Sequence, residues 1–355
     1  MAPRVAVLYQ ELEPPLIDGT RKPKKPGGYR DSGADIAFNL SLCQNVDVIP
    51  AVQHPDPIED DHWCFPDTEE GILNAIEKGA THLWANTILF ASHPLQSSTR
   101  VGQYQESVRI VGQGPLIVGK YDDKEFVNSL LRKIGGFTMP AAYNLKSQSL
   151  DGLPLPVVVK PVRGRGSYGV KVCRDHAELA AHVKRLQDEG LSVMVEDFLA
   201  GEEATVTVMP PKVGTSKYWA LPVVSRYNHH DGVAPYNGVV AVTANSKVVI
   251  DSKNLAHEQV QRESERVAQV LGVTAVIRID VRRLNDSPGS KFALFDVNVK
   301  PNMTGPGRPG RVDQASLSLI AAAALGYDYK ELLRQILSTA ASLKDVRALT
   351  PLEVP

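Results

Sequence analysis

Residues 278–304 read RIDVRRLNDSPGSKFALFDVNVKPNMT, and no other stretch restricts the chain as much. Arg278 and Asp280 alternate with Ile277, Ile279 and Val281, while Asp296 and Asn298 alternate with Phe295, Val297 and Val299. Side chains two residues apart on a strand share a face. Arg278 and Asp280 therefore point one way together, as do Asp296 and Asn298. The segment between the runs, LNDSPGSK, is rich in turn residues, which predicts an antiparallel return that brings the four side chains together. Two carboxylates and an amide oxygen at one place suit a hard divalent cation such as Mg²⁺, which prefers oxygen ligands and often shares them with phosphates. An arginine beside them would stabilise charge building up on a transferred group. The simpler alternative is a strand pair with solvated polar faces, so the rest of the chain must decide.

With 355 residues, 43% hydrophobic and 22% charged, the chain has material for two or three packed domains. Lys and Arg number 39 against 40 Asp and Glu, which gives no support for a nucleic-acid-binding or membrane-surface protein. Cys43, Cys64 and Cys173 are odd in number and widely spaced, so neither a disulfide framework nor a zinc knuckle is expected. The start, MAPRVAVLYQ, runs directly into an apolar strand, and no run approaches a membrane span. The expectation is a soluble, cytoplasmic protein.

Along the chain, Val5 to Tyr9 reads as a buried strand and residues 11–33 as a long loop loaded with Pro, Gly and charge. A helix from Asp31 to Cys43, a strand at Asp47–Ala51, a helix at Gly71–Lys78 and strands at His82–Phe90 and Pro115–Val118 complete an α/β domain over residues 1–119. Asp122 and Asp123 then open a helix that ends at Gly135-Gly136. VVVK, a glycine-rich turn, VKV, a helix at His176–Gly190 and the strand LSVMVEDFL make an α+β module over 120–210. A third unit, 211–345, holds strands near Trp219–Val224 and Val239–Val242, a helix at Asn254–Leu271, the opening stretch and two Ala/Leu-rich helices within Gln314–Ala341. The tail LTPLEVP reads as frayed.

Within VVVKPVRGRGSYGVKV, Gly164, Gly166 and Gly169 allow close backbone approach to a polyanion, and Lys160 supplies a point charge. A dinucleotide fold needs a helix after such a loop, and here a strand follows. A protein-kinase loop fits the letters, but no V-A-I-K, H-R-D or D-F-G accompanies it. In VEDFLAGEEATVTV, Glu196 and Glu203 bracket Phe198-Leu199, which suits an adenine against the strand with a carboxylate on the ribose hydroxyls. The loop segments His229-His230-Asp231 and RKPKKP read as solvated. Arg308 and Arg311, close after the metal strand, are placed to hold a substrate carboxylate as bidentate forks.

In this order the motifs resemble the ATP-grasp superfamily, and within it the D-alanine-D-alanine ligase-like carboxylate-amine ligases. The resemblance runs through K-P-x-R and the glycine loop (160–170), E-x-x-L-x-G-x-E (196–203), R-I-D (278–280) and D-V-N-V-K-P-N-M-T (296–304), and covers about residues 120–330. It implies an ATP-grasp fold with an α/β amino-terminal domain, a small lid domain and a metal-carrying carboxy-terminal domain. It also implies ATP and Mg²⁺ as cofactors, and a small-molecule carboxylate and amine as substrates, joined through an acyl phosphate. Homodimers are common in that family.

By the same resemblance Lys124 and Lys160 reach the nucleotide phosphates, and Gly166, Ser167 and Gly169 form a lid over the transferred phosphoryl group. Glu196 and the backbone of Leu199 match the adenine site, Glu203 the ribose ligand, and Asp280, Asp296 and Asn298 the magnesium ligands. Arg278 matches the arginine that steadies the acyl phosphate. Three departures concern the substrates. Asp296 stands where the family usually has Glu, Asn302 stands at an oxyanion glycine, and GPGRPGR after Thr304 stands where a hydroxyl and a leucine hold the second D-alanine. Glu11 and Glu13 lie near the place of the glutamate that grips the first ammonium but match nothing. Two alternatives stay open, an ATP-grasp phosphotransferase and a non-catalytic ATP-binding regulator.

Overall fold

The computed structural model describes residues 2–353 apart from 18, 23, 146, 147, 165, 213, 235–240, 250–253 and 288. The chain begins with β1 (Arg4–Tyr9), whose central residues are fully buried, and reaches α1 (Arg30–Ser41) through the long loop. Next come β2 (Asp47–Val48), β3 (Cys64–Pro66), α2 (Glu69–Glu77), β4 (His82–Asn86), β5 (Arg109–Val111) and α3 (Pro115–Tyr121). β4 and β1 pair in parallel, β5 extends the sheet beyond β4, and β2 and β3 pair in succession along the other edge of β1. Alternating buried strands and helices give the expected parallel α/β sheet.

One expected strand is corrected. Pro115–Val118 is the first turn of helix α3, with Pro115 at the start, where its missing N–H costs nothing. A four-residue apolar run fits a buried helix turn as well as a strand, and a proline is tolerated as the first residue of either. The strand expected at His82–Phe90 stops at Asn86. The strand at Trp219–Val224 is two strands, and the first two residues of the one at Val239–Val242 lie outside the described residues, while Val242 opens a 3-10 turn.

The next segment, α4 (Lys124–Ile134), is capped by Asp123, whose carboxylate accepts from Phe126 N at 2.8 Å. A four-stranded antiparallel sheet follows, made of β6 (Ala142–Tyr143), β7 (Val157–Pro161), β8 (Lys171–Cys173) and β9 (Val193–Asp197) in the order β8-β7-β9-β6. Helix α5 (His176–Asp188) buries Leu179, Val183 and Leu186 against it.

The third sheet contains β10 (Glu203–Met209), β11 (Trp219–Ala220), β12 (Val224–Arg226) and β13 (Ser246–Val248). Helix α6 (Leu255–Leu271) packs on β10, ends at Gly272 in the left-handed region, and leads to β14 (Ile277–Arg283) and β15 (Phe292–Asn298). β10, β14 and β15 are antiparallel neighbours. Helices α7 (Leu317–Ala323) and α8 (Tyr329–Leu337) follow; Ala341–Ser342 then joins the edge of β5, so the chain returns to its first sheet before α9 (Leu343–Ala348). The tail is tied down as far as Leu352, whose N–H donates to the Tyr121 hydroxyl at 3.0 Å.

Candidate functional site

The second and third sheets and the loop leading into α1 enclose a cavity of about 490 Å³, lined from the glycine loop, β7, β9, β14, β15 and the start of α1. This size is ordinary for a small-molecule site. Its floor is the β14–β15 pair, whose register places Arg278 opposite Asn298 and Asp280 opposite Asp296. Both halves of the expected cluster thus fall on one face. The pairing shifts between Asp280 and Val281, so that Val281 opposes Leu294 and Phe295 is bulged out of the ladder. The bulge turns the Phe295 carbonyl outward, where it accepts from Lys160 Nζ at 2.9 Å and from Asn128 Nδ2 at 3.2 Å.

Charges in the cluster are matched closely. Arg278 donates to both oxygens of Asp280, at 2.8 and 2.9 Å, in the bidentate geometry that suits guanidinium and carboxylate. Asn298 Nδ2 donates to Asp280 at 3.0 Å, and Lys124 Nζ lies 2.6 Å from Asp296. Burial alone would push the Asp296 carboxyl up, but Lys124, Lys160 and Arg278 hold it below the usual aspartate value. Burial likewise acts to depress Lys124, and Asp296 overrides it, so the ammonium is held above its ordinary value.

Two carboxylates and one amide oxygen therefore converge without any nitrogen or sulfur donor, which fits an oxygen-preferring cation that also takes water and phosphate ligands. Among the described residues no group of three His, Cys, Asp or Glu forms a fuller metal cage. The amide nitrogen of Asn298 is occupied by Asp280, which leaves its oxygen as the donor available to a cation.

Above this floor, Glu196 on β9 is buried at 2% exposure and binds Lys160 at 2.7 Å, Asn128 at 3.0 Å, and Arg132. Desolvation would raise its carboxyl, but Lys160 and Arg132 keep it below the usual glutamate range. Asn128 and Arg132 lie four residues apart on one face of α4 and were not singled out from the sequence. Glu203 lines the cavity and is engaged by His229 Nε2 at 2.9 Å and Arg282 at 3.6 Å. This corrects the expectation that His229 is merely solvated, although His230 and Asp231 are exposed.

Gly164, Gly166 and Ser167 line the cavity beside Leu199. Ser167 has φ of 56° and Gly169 of 70°, both in the left-handed region. A Cβ on Gly169 would lie 2.8 Å from Pro161 Cγ and 2.9 Å from Leu186 Cδ2, so the loop requires glycine there. His182 Nε2 donates to the Gly169 carbonyl at 2.9 Å and anchors the loop to α5.

The substrate end differs most from expectation. Asn302 lines the cavity, but Arg308 does not. Its side chain is 1% exposed and donates to Asp35 at 2.9 Å, to the Pro57 and Asp31 carbonyls, and to Asp60. Arg311 is likewise outside the lining, holding Asp35 at 2.8 and 2.9 Å and the Thr304 hydroxyl at 3.1 Å. Both guanidiniums are committed to helix α1, which removes the expected fork from the cavity. The GPGRPGR segment wraps outward onto α1, and the chain then brings Gln314, Ser316 and Leu317 back to the lining. A hydroxyl and a leucine are therefore present, contrary to the reading that the segment replaces them.

RKPKKP is corrected as well. Lys22 and Lys25 line the cavity, Lys22 at 2.6 Å from Asp122 and Lys25 at 3.0 Å from Asp31. Glu11 lies outside the lining, 3.6 Å from Lys24, and Glu13 is not part of it either. Lys300 also lines the site and has a signal in the sequence, since it continues the two-residue alternation of Asp296 and Asn298.

Comparison with known proteins bears on the family and the fold. The family model described as D-ala D-ala ligase C-terminus matches residues 137–338. The chain is 26% identical over 228 residues to D-alanine--D-alanine ligase A of Bacillus cereus, covering 63% of this chain and 69% of that protein. It is 28% identical over 233 residues to a D-alanine--D-alanine ligase of Bacillus anthracis, covering 64% and 70%. Among solved structures, the D-alanine--D-alanine ligase from Bacillus anthracis complexed with ATP superposes with a TM-score of 0.64 at 20% identity, over 98% of this chain and 99% of that one. The VanG D-Ala:D-Ser ligase from Enterococcus faecalis gives 0.62 at 14% identity, over 96% and 99%. These structures share the ATP-grasp fold with this chain. No helix among the described residues is long and apolar enough to cross a membrane. With the family model spanning more than half of its length, the chain belongs to the D-ala D-ala ligase C-terminus family and is a D-Ala-D-Ala ligase-like, ATP-dependent ligase that forms carbon–nitrogen bonds.

Proposed function

We propose that the enzyme joins a small carboxylic acid to an amine through an acyl phosphate, with ATP lying between the glycine-loop sheet and the β14–β15 floor. The observation that carries this reading is the convergence of Arg278, Asp280, Asp296 and Asn298 on one face, with Lys124 and Lys160 beside them. In this reading residues 1–119, 120–210 and 211–345 act as three domains, the middle one serving as the lid.

Lys124 and Lys160 neutralise phosphate oxygens, and each is poised by a carboxylate that holds its charge in place. The adenine lies against Glu196 and the Leu199 backbone, and Glu203, oriented by His229 and Arg282, takes the ribose hydroxyls. Asp280, Asp296 and Asn298 would hold Mg²⁺, which when bound offsets the charge of the β- and γ-phosphates. The acid's carboxylate oxygen attacks the γ-phosphorus and ADP leaves. An amine then attacks the acyl carbon, inorganic phosphate leaves and the amine loses a proton. Arg278 stabilises the charge on the acyl phosphate and on the tetrahedral oxyanion, and the Asn302 N–H donates to that oxyanion. Closure of the loop 164–170 excludes water, which would otherwise hydrolyse the acyl phosphate.

The test is ADP release with Mg²⁺ and ATP against acids and amines offered singly and in pairs, with mass spectrometry of products. ADP and an amide appearing together for a particular pair supports the ligase. ADP formed with one acid at a rate no amine changes, and without amide, would replace it by phosphoryl transfer.

A further inference from the structure

Residues 11–25 leave the first sheet after β1 and return to it before α1, and both ends are braced there. The Gln10 N–H donates to the Gly28 carbonyl at 2.8 Å, and a Cβ on Gly28 would overlap the Gln10 carbonyl oxygen, so the two ends lie side by side. Asp67, just after β3, accepts from the N–H groups of Glu11 and Leu12 at 2.8 and 2.9 Å. Lys24 Nζ donates to the Glu11 carbonyl at 2.7 Å, and the two-residue strands Leu16–Ile17 and Thr20–Arg21 pair antiparallel. The segment is therefore an ordered arm with fixed roots, and long loops of that kind commonly serve a site.

The arm reaches the cleft through Lys22. This side chain lines the cavity with Nζ 2.6 Å from Asp122 Oδ1, the two side chains being 12% and 24% exposed. A partly buried pair is screened less than a surface one. Asp122 stands at the junction of α3 and α4, where other parts of the site are also fastened. Arg163, immediately before the glycine loop, donates to the Gly119 carbonyl at 3.2 Å and to Asp123 at 3.3 Å. The Lys124 N–H donates to the Val162 carbonyl at 3.1 Å, and Lys124 Nζ holds Asp296 on the floor. The arm, the foot of the glycine loop and the floor thus meet within residues 119–124. In the reading above this is the phosphoryl end of the cleft, where an acyl phosphate is lost to water unless it is covered.

We infer that Lys22 and Asp122 are positioning residues that clasp the arm 11–25 across the phosphoryl end of the cleft, so that the arm and the glycine loop exclude water from two sides. The inference rests on the ligase reading above and adds a second closing element to it. When the clasp is broken, water attacks the acyl carbon, phosphate leaves and the acid is regenerated. ATP is then consumed without an amide being formed.

The experiment uses the full chain with Mg²⁺, ATP and hydroxylamine, whose attack on the acyl carbon expels phosphate and leaves a hydroxamate. D-alanine, L-alanine, butyrate and succinate are the acids offered. ADP formed per hydroxamate is measured at saturating ATP, with the KM of ATP alongside, for the wild type, Lys22→Met, Asp122→Asn and the double variant. Each single variant should raise the ratio about five-fold, and the double variant should raise it no further, because both changes remove the same contact. A ratio unchanged in either single variant overturns the inference, as does a double variant whose rise is the product of the two. A rise confined to the KM of ATP also overturns it, by assigning Lys22 to the nucleotide phosphates. If no acid yields hydroxamate, the ligase reading fails, and trypsin cleavage after Arg21 and Lys24 in the wild type and in Asp122→Asn decides the clasp alone. Cleavage about five-fold faster in the variant supports it, since the rate follows the open population; equal rates overturn it.

Discussion

Replacing Arg308 by Met tests whether this arginine is a structural clamp. Arg308 joins the segment after Thr304 to helix α1 and to the loop before β3, through Asp35, Asp60 and the carbonyls of Asp31 and Pro57. Methionine keeps much of the stem volume and removes the charge and its donors. Taking one partner from a buried pair destabilises by about 3–5 kcal/mol, because the other charge is left in a poorly solvating interior. Asp35 is 0% exposed but keeps Arg311 at 2.8 Å and the Thr304 hydroxyl at 2.6 Å, so the low end applies, about 3 kcal/mol. That is a large fraction of a typical stability of about 5–15 kcal/mol. Arg311→Met should destabilise less, since its side chain is 24% exposed and Asp35 retains the better-buried Arg308. The assay is urea unfolding of both variants followed by circular dichroism, with ADP release measured on the folded protein. A loss below about 1 kcal/mol for Arg308→Met, or a larger loss for Arg311→Met, would refute the clamp. A selective rise in the KM of one substrate without loss of stability would return Arg308 to the cavity.

Other outcomes follow from the same geometry. Asp296→Asn removes one charge from the oxygen cluster and the charged partner of Lys124, and should lower kcat about a thousand-fold in a protein that still folds cooperatively at a lowered melting temperature; turnover within ten-fold of wild type would mean that Asp296 is not at the reacting centre. Gly169→Ala adds a Cβ against Pro161 and Leu186 at a φ of 70°, and should raise the KM of ATP with a stability loss of about 1–2 kcal/mol; normal ATP binding, read by calorimetry, would argue against this loop covering the nucleotide. Asp67 yields a prediction about pH. Burial would raise its carboxyl, but hydrogen bonds from His93, Thr87 and the Leu12 N–H hold it below the usual aspartate value. A lowered folded-state value stabilises the protein at pH above the unfolded value of about 3.9, and that stability is lost as pH falls through the lowered value. Asp67→Asn should therefore flatten the acid limb of the stability–pH curve, and an unchanged limb in urea titrations would contradict this.

Much of the site was legible because its signals are local. The alternation of Arg278, Asp280, Asp296 and Asn298 with buried neighbours depends only on strand geometry. The turn-rich segment between them determined that the runs return antiparallel. Asp123 as a cap and Gly272 as a stop act within four residues of where they stand, so the bounds of α4 and α6 could be read directly. The three glycines and Lys160 share one short loop and strand, so their grouping was readable without any tertiary contact, and Lys160, Gly164 and Gly166 do line the cavity.

Other features were decided only by packing. Pro115–Val118 has the same apolar letters in a strand or a buried helix turn, and its surroundings made it helical. The bulge at Phe295 depends on the register of two strands, which alternation alone does not set, and it is the bulge that presents a carbonyl to Lys160. Lys22 and Lys25 read as solvated charges until the fold brings Asp122 and Asp31 beside them. Arg308 looked like a substrate fork because a guanidinium pairs equally well with a ligand carboxylate or with a protein one. The carboxylate of Asp35, 273 residues away in sequence, made the choice. Sequence determined which chemical groups this protein carries and how neighbouring ones are oriented. Contacts between distant segments determined which of those groups face the cavity, because a charge takes its role from the partner that the fold sets against it.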